Sequence, residues 1–72
     1  MYKTALARNI DRYRRECGWG FETLAEKSGM GLEHIKDHVY RGKQAQGPTL
    51  RVYADTFSKR LEKEITIEML EA

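Results

Sequence analysis

The sequence predicts a compact all-α domain of four or five helices, and three observations support this fold class. Apolar residues recur three and four positions apart along most of the chain, as on one face of an amphipathic helix. Glycine and proline fall between these segments, where they end and begin helices. The length of 72 residues suffices for one hydrophobic core, so we expect a single domain spanning residues 1–72.

The first helix is expected to run from Ala5 to Cys17. Thr4 is a suitable N-cap, because its hydroxyl can accept a backbone N–H, and Gly18 suits the left-handed position after the last turn. We expect Trp19 to close one end of the core. The apolar face of this helix has regular helical spacing: Leu6, Ile10, Tyr13 and Cys17.

Residues 21–40 are predicted to form two short helices separated by a glycine turn. The second helix covers residues 21–28 and the third covers residues 32–40, where Ile35 and Val39 resume the apolar stripe. Gly29 between them permits the left-handed backbone that ends a helix. A short turn containing glycine between two helices is typical of a helix-turn-helix, which holds its second helix clear of the body, free to enter a DNA major groove.

A fourth helix is signalled by Pro48, with Thr49 as its capping residue, and is expected to extend to about residue 62. A polar connection, residues 42–47, precedes it. The predicted core draws one apolar face from each helix: Leu6, Ile10, Tyr13, Leu24, Ala25, Ile35, Val39, Leu50, Phe57 and Leu61.

The tail is ambiguous between a strand and a fifth helix. Ile65, Ile67 and Met69 alternate as in a strand, whereas Thr66 as an N-cap with Leu70 further on describes a short helix. The helix is favoured, because a lone strand would need a second copy of the chain as its partner. The apolar residues of the tail exceed what so small a core can absorb, so we expect the tail to contact a second copy.

The composition excludes several classes of protein. Hydrophobic residues make up 40% and charged residues 33% of the chain, a balance typical of soluble globular proteins. No apolar run approaches the ~18–20 residues of a membrane helix. The N-terminus lacks a hydrophobic signal region, so we expect a cytoplasmic protein without membrane contact. Cys17 is the only cysteine, which fits a reducing compartment and a packed thiol.

The net charge of +2 is unevenly distributed. Residues 1–19 carry five basic and two acidic side chains, residues 20–47 are neutral, and residues 48–72 carry a net charge of −1. A basic first helix is typical of a protein that approaches a phosphate backbone, but an ordinary solvated helix face has the same pattern.

Candidate catalytic and metal-binding groups are sparse. His34 and His38 lie four residues apart, a spacing that can chelate a metal from one helix, but no third ligand accompanies them. We therefore expect ordinary surface or groove-lining histidines. No carboxylate pair, nucleophile with its base, or phosphate-binding glycine loop is present, so we expect no enzyme, no cofactor and no small-molecule ligand.

One pattern spans most of the chain: Ile10-x-x-Tyr13-Arg14…Gly18-Trp19-x-Phe21-x-x-Leu24-Ala25-Glu26-Lys27-x-Gly29-Met30-Gly31-x-x-x-Ile35…Arg41-Gly42-Lys43…Pro48-Thr49-Leu50. It resembles the lambda-repressor-like helix-turn-helix family, the Cro and phage-repressor type of bacterial and phage regulators. The resemblance covers about residues 6–70. It implies a transcriptional repressor that binds a palindromic operator in double-stranded DNA as a homodimer.

The resemblance also implies which residues contact DNA. In this family the third helix lies in the major groove, and the loop after it binds phosphates. Lys36 can donate to guanine, Glu33 can accept from cytosine N4, and Leu32 can contact a thymine methyl group. Carried over by position, the base-contacting residues are Leu32, Glu33, Lys36 and Asp37, and the phosphate-binding residues are Lys43 and Gln44.

The sequence departs from the family pattern in the second and third helices. Phe21 stands where the family usually has a glutamine that binds phosphate. Tyr40 replaces a glutamate that often pairs with the arginine at position 14, so we expect Arg14 to stack on Tyr40 instead. The third helix is one residue longer between Ile35 and the following Arg-Gly.

Two acidic residues leave a second function open. Glu33 and Asp37 lie on the face that is expected to meet DNA, which is itself polyanionic. The alternative is a helix-turn-helix-like module that binds a basic protein partner rather than DNA.

Overall fold

The computed structural model describes residues 1–72 as five helices without a strand. The all-helical fold class is thereby confirmed, and the tail is a helix. No helix is both long enough and apolar enough to cross a bilayer. The helices, in chain order, are α1 Ala5–Cys17, α2 Phe21–Ser28, α3 Leu32–Val39, α4 Gly47–Leu61 and α5 Ile67–Glu71.

Both ends of α1 form as the sequence predicts. The Thr4 hydroxyl accepts the backbone N–H of Ala7 at 2.9 Å, which satisfies one of the free amides of the first turn. At the other end Gly18 adopts a left-handed backbone with φ 78°, and its N–H donates to the Arg15 carbonyl at 3.0 Å.

The boundaries of α3 and α4 differ slightly from the predicted ones. α3 ends at Val39, with Tyr40 as its C-cap, one residue earlier than predicted. The N-cap of α4 is Gln46, so Pro48 lies within the first turn and the prediction of Thr49 as the capping residue is wrong. Proline is suited to the first turn because the amide it lacks has no intrahelical partner there.

The core lies between α1, α4 and α5; α2 adds Leu24 to it, and α3 adds Ile35 and Val39. The predicted core residues are buried except Ala25 and Leu61, which are half-buried and pack against its margin. Trp19 packs there as well, as predicted. The buried apolar cluster consists of Leu6, Ile10, Tyr13, Cys17, Leu24, Ile35, Val39, Leu50, Tyr53, Ala54, Phe57, Ile65 and Leu70.

The tail completes this core, and the expectation that its apolar residues would be in excess is wrong. Ile65 is 4% exposed and Leu70 is 0% exposed, whereas Met69 remains at the surface. The Thr66 hydroxyl caps α5 by accepting the backbone N–H of Met69 at 3.1 Å. The buried amide of Asn9 donates to the Leu70 carbonyl at 2.8 Å, which attaches α5 to α1.

Candidate nucleic-acid interface

The turn between α2 and α3 is built from a glycine and a serine. Gly29 has φ 76°, and its N–H donates to the Ala25 carbonyl at 2.9 Å, which ends α2. The Ser28 hydroxyl then accepts the backbone N–H of Met30 at 3.2 Å. α3 starts at Leu32, directly after its N-cap Gly31.

The orientation of α3 follows from its buried side. Ile35 is 0% exposed and Val39 is 3% exposed, so this face packs on the core beside Leu24 of α2. The opposite side of α3 faces solvent, as the 3.6-residue period requires. α2 and α3 thus present one helix face outward while a small number of apolar side chains hold them in place.

The residues with predicted DNA contacts all lie on α3 or in the segment that follows it. Glu33 is 75% exposed at its side chain, while Lys36 and Asp37 are 38% and 27% exposed. Leu32 is half-buried, and Gln44 lines a shallow groove beside His34. The structure brings together Glu33, Lys36, Asp37 and Lys43 through ion pairs, but Leu32 and Gln44 take no part in them.

Arg41 links the two acidic residues of α3, although the sequence pattern predicts no DNA contact for it. Its guanidinium forms a short ion pair with Asp37 and lies 3.6 Å from the Glu33 carboxylate. The sequence contains the spacing that favours this ion pair, since Asp37 and Arg41 are four residues apart and therefore neighbours on a helix surface. The hydrogen bond from Arg41, reinforced by the charge of Lys43, lowers the pKa of Asp37 below its ordinary value.

The two remaining contacts of the ion-pair network involve lysines. Lys36 Nζ lies 4.0 Å from a Glu33 oxygen, and Lys43 Nζ lies 3.8 Å from an Asp37 oxygen. We call these five residues the α3 charge cluster: Glu33, Lys36, Asp37, Arg41 and Lys43. With three basic and two acidic members, the cluster carries one net positive charge.

The backbone after α3 holds the two cations of that segment in place. The N–H of Lys43 donates to the Asp37 carbonyl at 3.0 Å, which folds the chain back onto the helix end. Gly42 between the cations has φ 70°, and a Cβ there would lie 2.8 Å from the Lys3 Cβ. A larger residue at position 42 would therefore strain the backbone and displace the N-terminal segment.

His38 is 3% exposed and so is not a surface histidine, but it lines the same groove as His34 and Gln44, as the groove-lining alternative predicts. Its Nδ1 lies 2.7 Å from the Tyr53 hydroxyl, a hydrogen bond that joins α3 to α4. Burial, together with the nearby His34 and Lys43, lowers the pKa of His38 despite the opposing charge of Asp37. His38 follows Ile35 by three positions and so shares its buried face, which a hydropathy pattern conceals because histidine counts as polar.

The predicted stack of Arg14 on Tyr40 is also wrong, because Phe21 lies between them. The Arg14 guanidinium is 4.2 Å from the centre of the Phe21 ring, and that ring is 5.5 Å from the Tyr40 ring. Arg14 also pairs with the buried Asp11 at 2.5 Å. Burial alone would raise the pKa of Asp11, but hydrogen bonds from Tyr2 and Arg14 lower it overall.

The rest of the surface has open grooves and no metal-ligating cluster of side chains. No three histidine, cysteine, aspartate or glutamate side chains lie close enough to hold a metal ion. The largest groove, about 560 Å³, is open and is lined by polar and charged side chains around Trp19 on the α2 and α4 side, without a residue of α3.

No family model, curated protein or solved structure matches this chain. The functional interpretation therefore depends on the geometry of α2, α3 and the segment that follows.

Proposed function

We propose that this protein is a sequence-specific DNA-binding regulator that uses α2, the glycine turn and α3 as a helix-turn-helix. The observation that carries the proposal is the outward face of α3, which continues without a break into the cations Arg41 and Lys43. A helix that presents polar side chains on one side, followed by cations at its end, suits a major groove flanked by phosphates.

The proposed contacts divide into base edges and phosphates. Glu33 and Lys36 are exposed and offer an acceptor for cytosine N4 and a donor for guanine. Lys43 is 68% exposed at its side chain, on the segment that would face the sugar–phosphate backbone. Leu32 and Asp37 complete the proposed base-contacting set, and Gln44 the phosphate-binding set.

The charge of the site supports DNA over a basic protein partner. Glu33 and Asp37 each lie within 4.0 Å of two basic side chains, so they do not form a free acidic patch. A basic partner would have to compete with Arg41 for both carboxylates. The protein-interaction module remains the alternative function, to be adopted if DNA binding fails.

The operator is expected to be a palindrome bound by two copies of the chain. One recognition helix covers only a few base pairs, so useful affinity needs two helices about 34–36 Å apart along the DNA. Selection from a pool of random duplexes should therefore recover an inverted repeat with that spacing. Within the tail, Ile65 and Leu70 are buried in the core, which leaves the exposed Met69 for a contact with the second copy.

The phosphate contact can be tested through its salt dependence. Lys43→Ala should weaken binding to all duplexes alike and reduce the slope of log affinity against log salt by about one unit. Fluorescence anisotropy with a labelled duplex measures both quantities. Lys59→Ala is the matched control, because Lys59 is an exposed lysine on α4, outside the proposed helix-turn-helix, and forms no ion pair.

The control should leave the salt slope unchanged. Equal slopes for Lys43→Ala and the unmodified protein would remove Lys43 from the interface. If the unmodified protein binds no duplex even at low salt, the regulator proposal fails and the protein-interaction alternative replaces it.

A further inference from the structure

Every cation at the end of α3 is already engaged by a carboxylate in the free protein. Arg41 is held between Glu33 and Asp37, and Lys43 lies 3.8 Å from Asp37. Asp37 is the centre of this arrangement, since it pairs with both cations of the following segment and is only 27% exposed. Among the other exposed acids of the chain, Glu16 pairs with Lys63 at 3.2 Å, whereas Asp55 on α4 has no basic side chain within 4.0 Å.

We propose that Asp37, assisted by Glu33, determines specificity by acting as an internal substitute for DNA phosphate. In the free protein the two carboxylates occupy Arg41 and Lys43, and a DNA phosphate must replace them before these cations contribute to binding. This inference rests on the proposed function and adds Arg41 to it as a phosphate-binding residue.

The cost of that exchange does not depend on the base sequence. Exposed ion pairs are weak, each changing an equilibrium by about fivefold at most, so phosphates of DNA can displace them. After displacement, however, the carboxylates of Glu33 and Asp37 lie beside phosphates with less compensating charge. Like charges at such short range oppose binding, and salt screens the repulsion only in part.

Base contacts in the correct operator can offset part of this unfavourable free energy of binding, whereas arbitrary DNA lacks those contacts. A cytosine N4 amino group positioned at α3 would donate to a carboxylate and compensate it. The acidic pair would therefore depress binding to arbitrary sequences more than binding to the operator. Specificity is a difference between affinities, so a residue that penalises the wrong partner raises it as effectively as a new contact.

The test compares the unmodified protein with Asp37→Asn on one labelled duplex of mixed sequence, over a salt series from ~50 to 200 mM. Asparagine keeps the size of the side chain and removes its charge. We expect the affinity of Asp37→Asn for this duplex to rise about three- to tenfold, and its salt slope to steepen by up to about one unit.

Three further variants test whether the gain in affinity is specific to the α3 charge cluster or follows from any change in net charge. Asp55→Asn removes the same charge from α4, outside the α3 charge cluster, and should change the affinity by less than about twofold because salt screens distant charges. Glu33→Gln should act in the same direction as Asp37→Asn but more weakly, since its ion pairs are longer than that of Arg41 with Asp37. Adding Arg41→Gln to Asp37→Asn should abolish the gain.

The outcomes distinguish failure of this inference from failure of the proposed function. If both the unmodified protein and Asp37→Asn bind the duplex with equal affinity and slope, or if Asp37→Asn binds more weakly, the inference is wrong and the regulator proposal stands. If neither protein binds at the lowest salt, both fail. Circular dichroism should show equal helical content in all variants, since these side chains lie outside the core.

Discussion

The frame formed by α1, α4 and the tail differs from the α2–α3 pair in how much of it is buried. α2 buries only Leu24, and α3 buries Ile35, His38 and Val39. The frame supplies the rest of the buried apolar side chains: Leu6, Ala7, Ile10, Tyr13, Cys17, Leu50, Tyr53, Ala54, Phe57, Ile65 and Leu70. The stability of the domain therefore resides mainly in the frame, and the proposed interface is attached to it through few side chains.

The polar contacts of the two regions differ in the same way. In the frame, Ser58 both accepts the backbone N–H of Ile65 at 2.8 Å and donates to its carbonyl at 3.2 Å. Asn9 is 3% exposed and bonds to the carbonyl of Leu70. The buried Asn9 hydrogen bond is costly to break, because water cannot replace the lost partner, and the partly buried Ser58 pair is less accessible to water than a surface contact. The ion pairs of the α3 charge cluster are exposed, so a ligand can exchange with them at low cost.

Removing residues 64–72 should have the largest effect on stability, since it opens the frame. The deletion exposes the space filled by Ile65 and Leu70, and it leaves Asn9 without its acceptor. Each large buried side chain is worth about 2–5 kcal/mol, so the loss approaches the total of about 5–15 kcal/mol that is typical of a domain. Thermal unfolding followed by circular dichroism should lose its cooperative transition.

Met69→Ala is the control for this deletion, because Met69 belongs to the same helix but is 36% exposed. It should leave the unfolding midpoint nearly unchanged. A truncated protein that keeps its helical signal and unfolds cooperatively would show that α5 is dispensable, contrary to its burial here.

Apolar spacing predicts the frame well, because the apolar residues that recur at helical spacing form the face of each helix that is buried. α1 and α2 have their predicted bounds, and the apolar residues placed in the core are buried there or at its margin. Spacing cannot tell whether a short apolar segment packs on its own chain or on a second copy. For this reason the sequence predicts the helix of the tail but not the burial of Ile65 and Leu70 in the core.

Ile35→Ala should have the next largest effect, since Ile35 is the most deeply buried side chain of α3. Its side chain is 0% exposed, and truncation should lower the free energy of unfolding by about 2–5 kcal/mol. Chemical denaturation measures the loss. His34→Ala, one residue earlier and exposed, should change stability little. A small loss for Ile35→Ala would mean that α3 is held mainly by other contacts.

The proposed site was less predictable than the frame, because its geometry depends on pairing rather than on hydropathy. Resemblance to a family assigned Lys43 a role by position, but it gave no role to Arg41, which joins both acids of α3. The hydrogen bond between His38 and Tyr53 also joins residues 15 positions apart, and no periodicity encodes such a pair. Long-range polar contacts are decided by tertiary packing, which a local pattern does not contain.

His38 connects the α2–α3 pair to the frame. The smallest expected effect is the change in stability when His38 is protonated. The group lies on α3 and bonds to Tyr53 of α4, with His34, Asp37 and Lys43 nearby. Burial lowers its pKa from the ordinary value of 6.5, so just below pH 6.5 the unfolded chain binds more protons than the folded one. The stability that neutral His38 contributes is therefore fully present above pH 6.5, and it is lost as the pH decreases below that value.

The carboxylates do not obscure this effect. The pKa values of Asp11 and Asp37 are lowered from 3.8, so the stability they contribute is fully present above about pH 5 and is lost progressively at more acidic values. Urea unfolding midpoints should therefore decline from pH 6.5 down to about pH 5 in the unmodified protein, and much less in His38→Gln. His34→Gln, the exposed control, should retain the decline, because its imidazole makes no hydrogen bond to α4. If His38→Gln declines as steeply as the unmodified protein, protonation of His38 does not weaken the attachment of α3 to the frame.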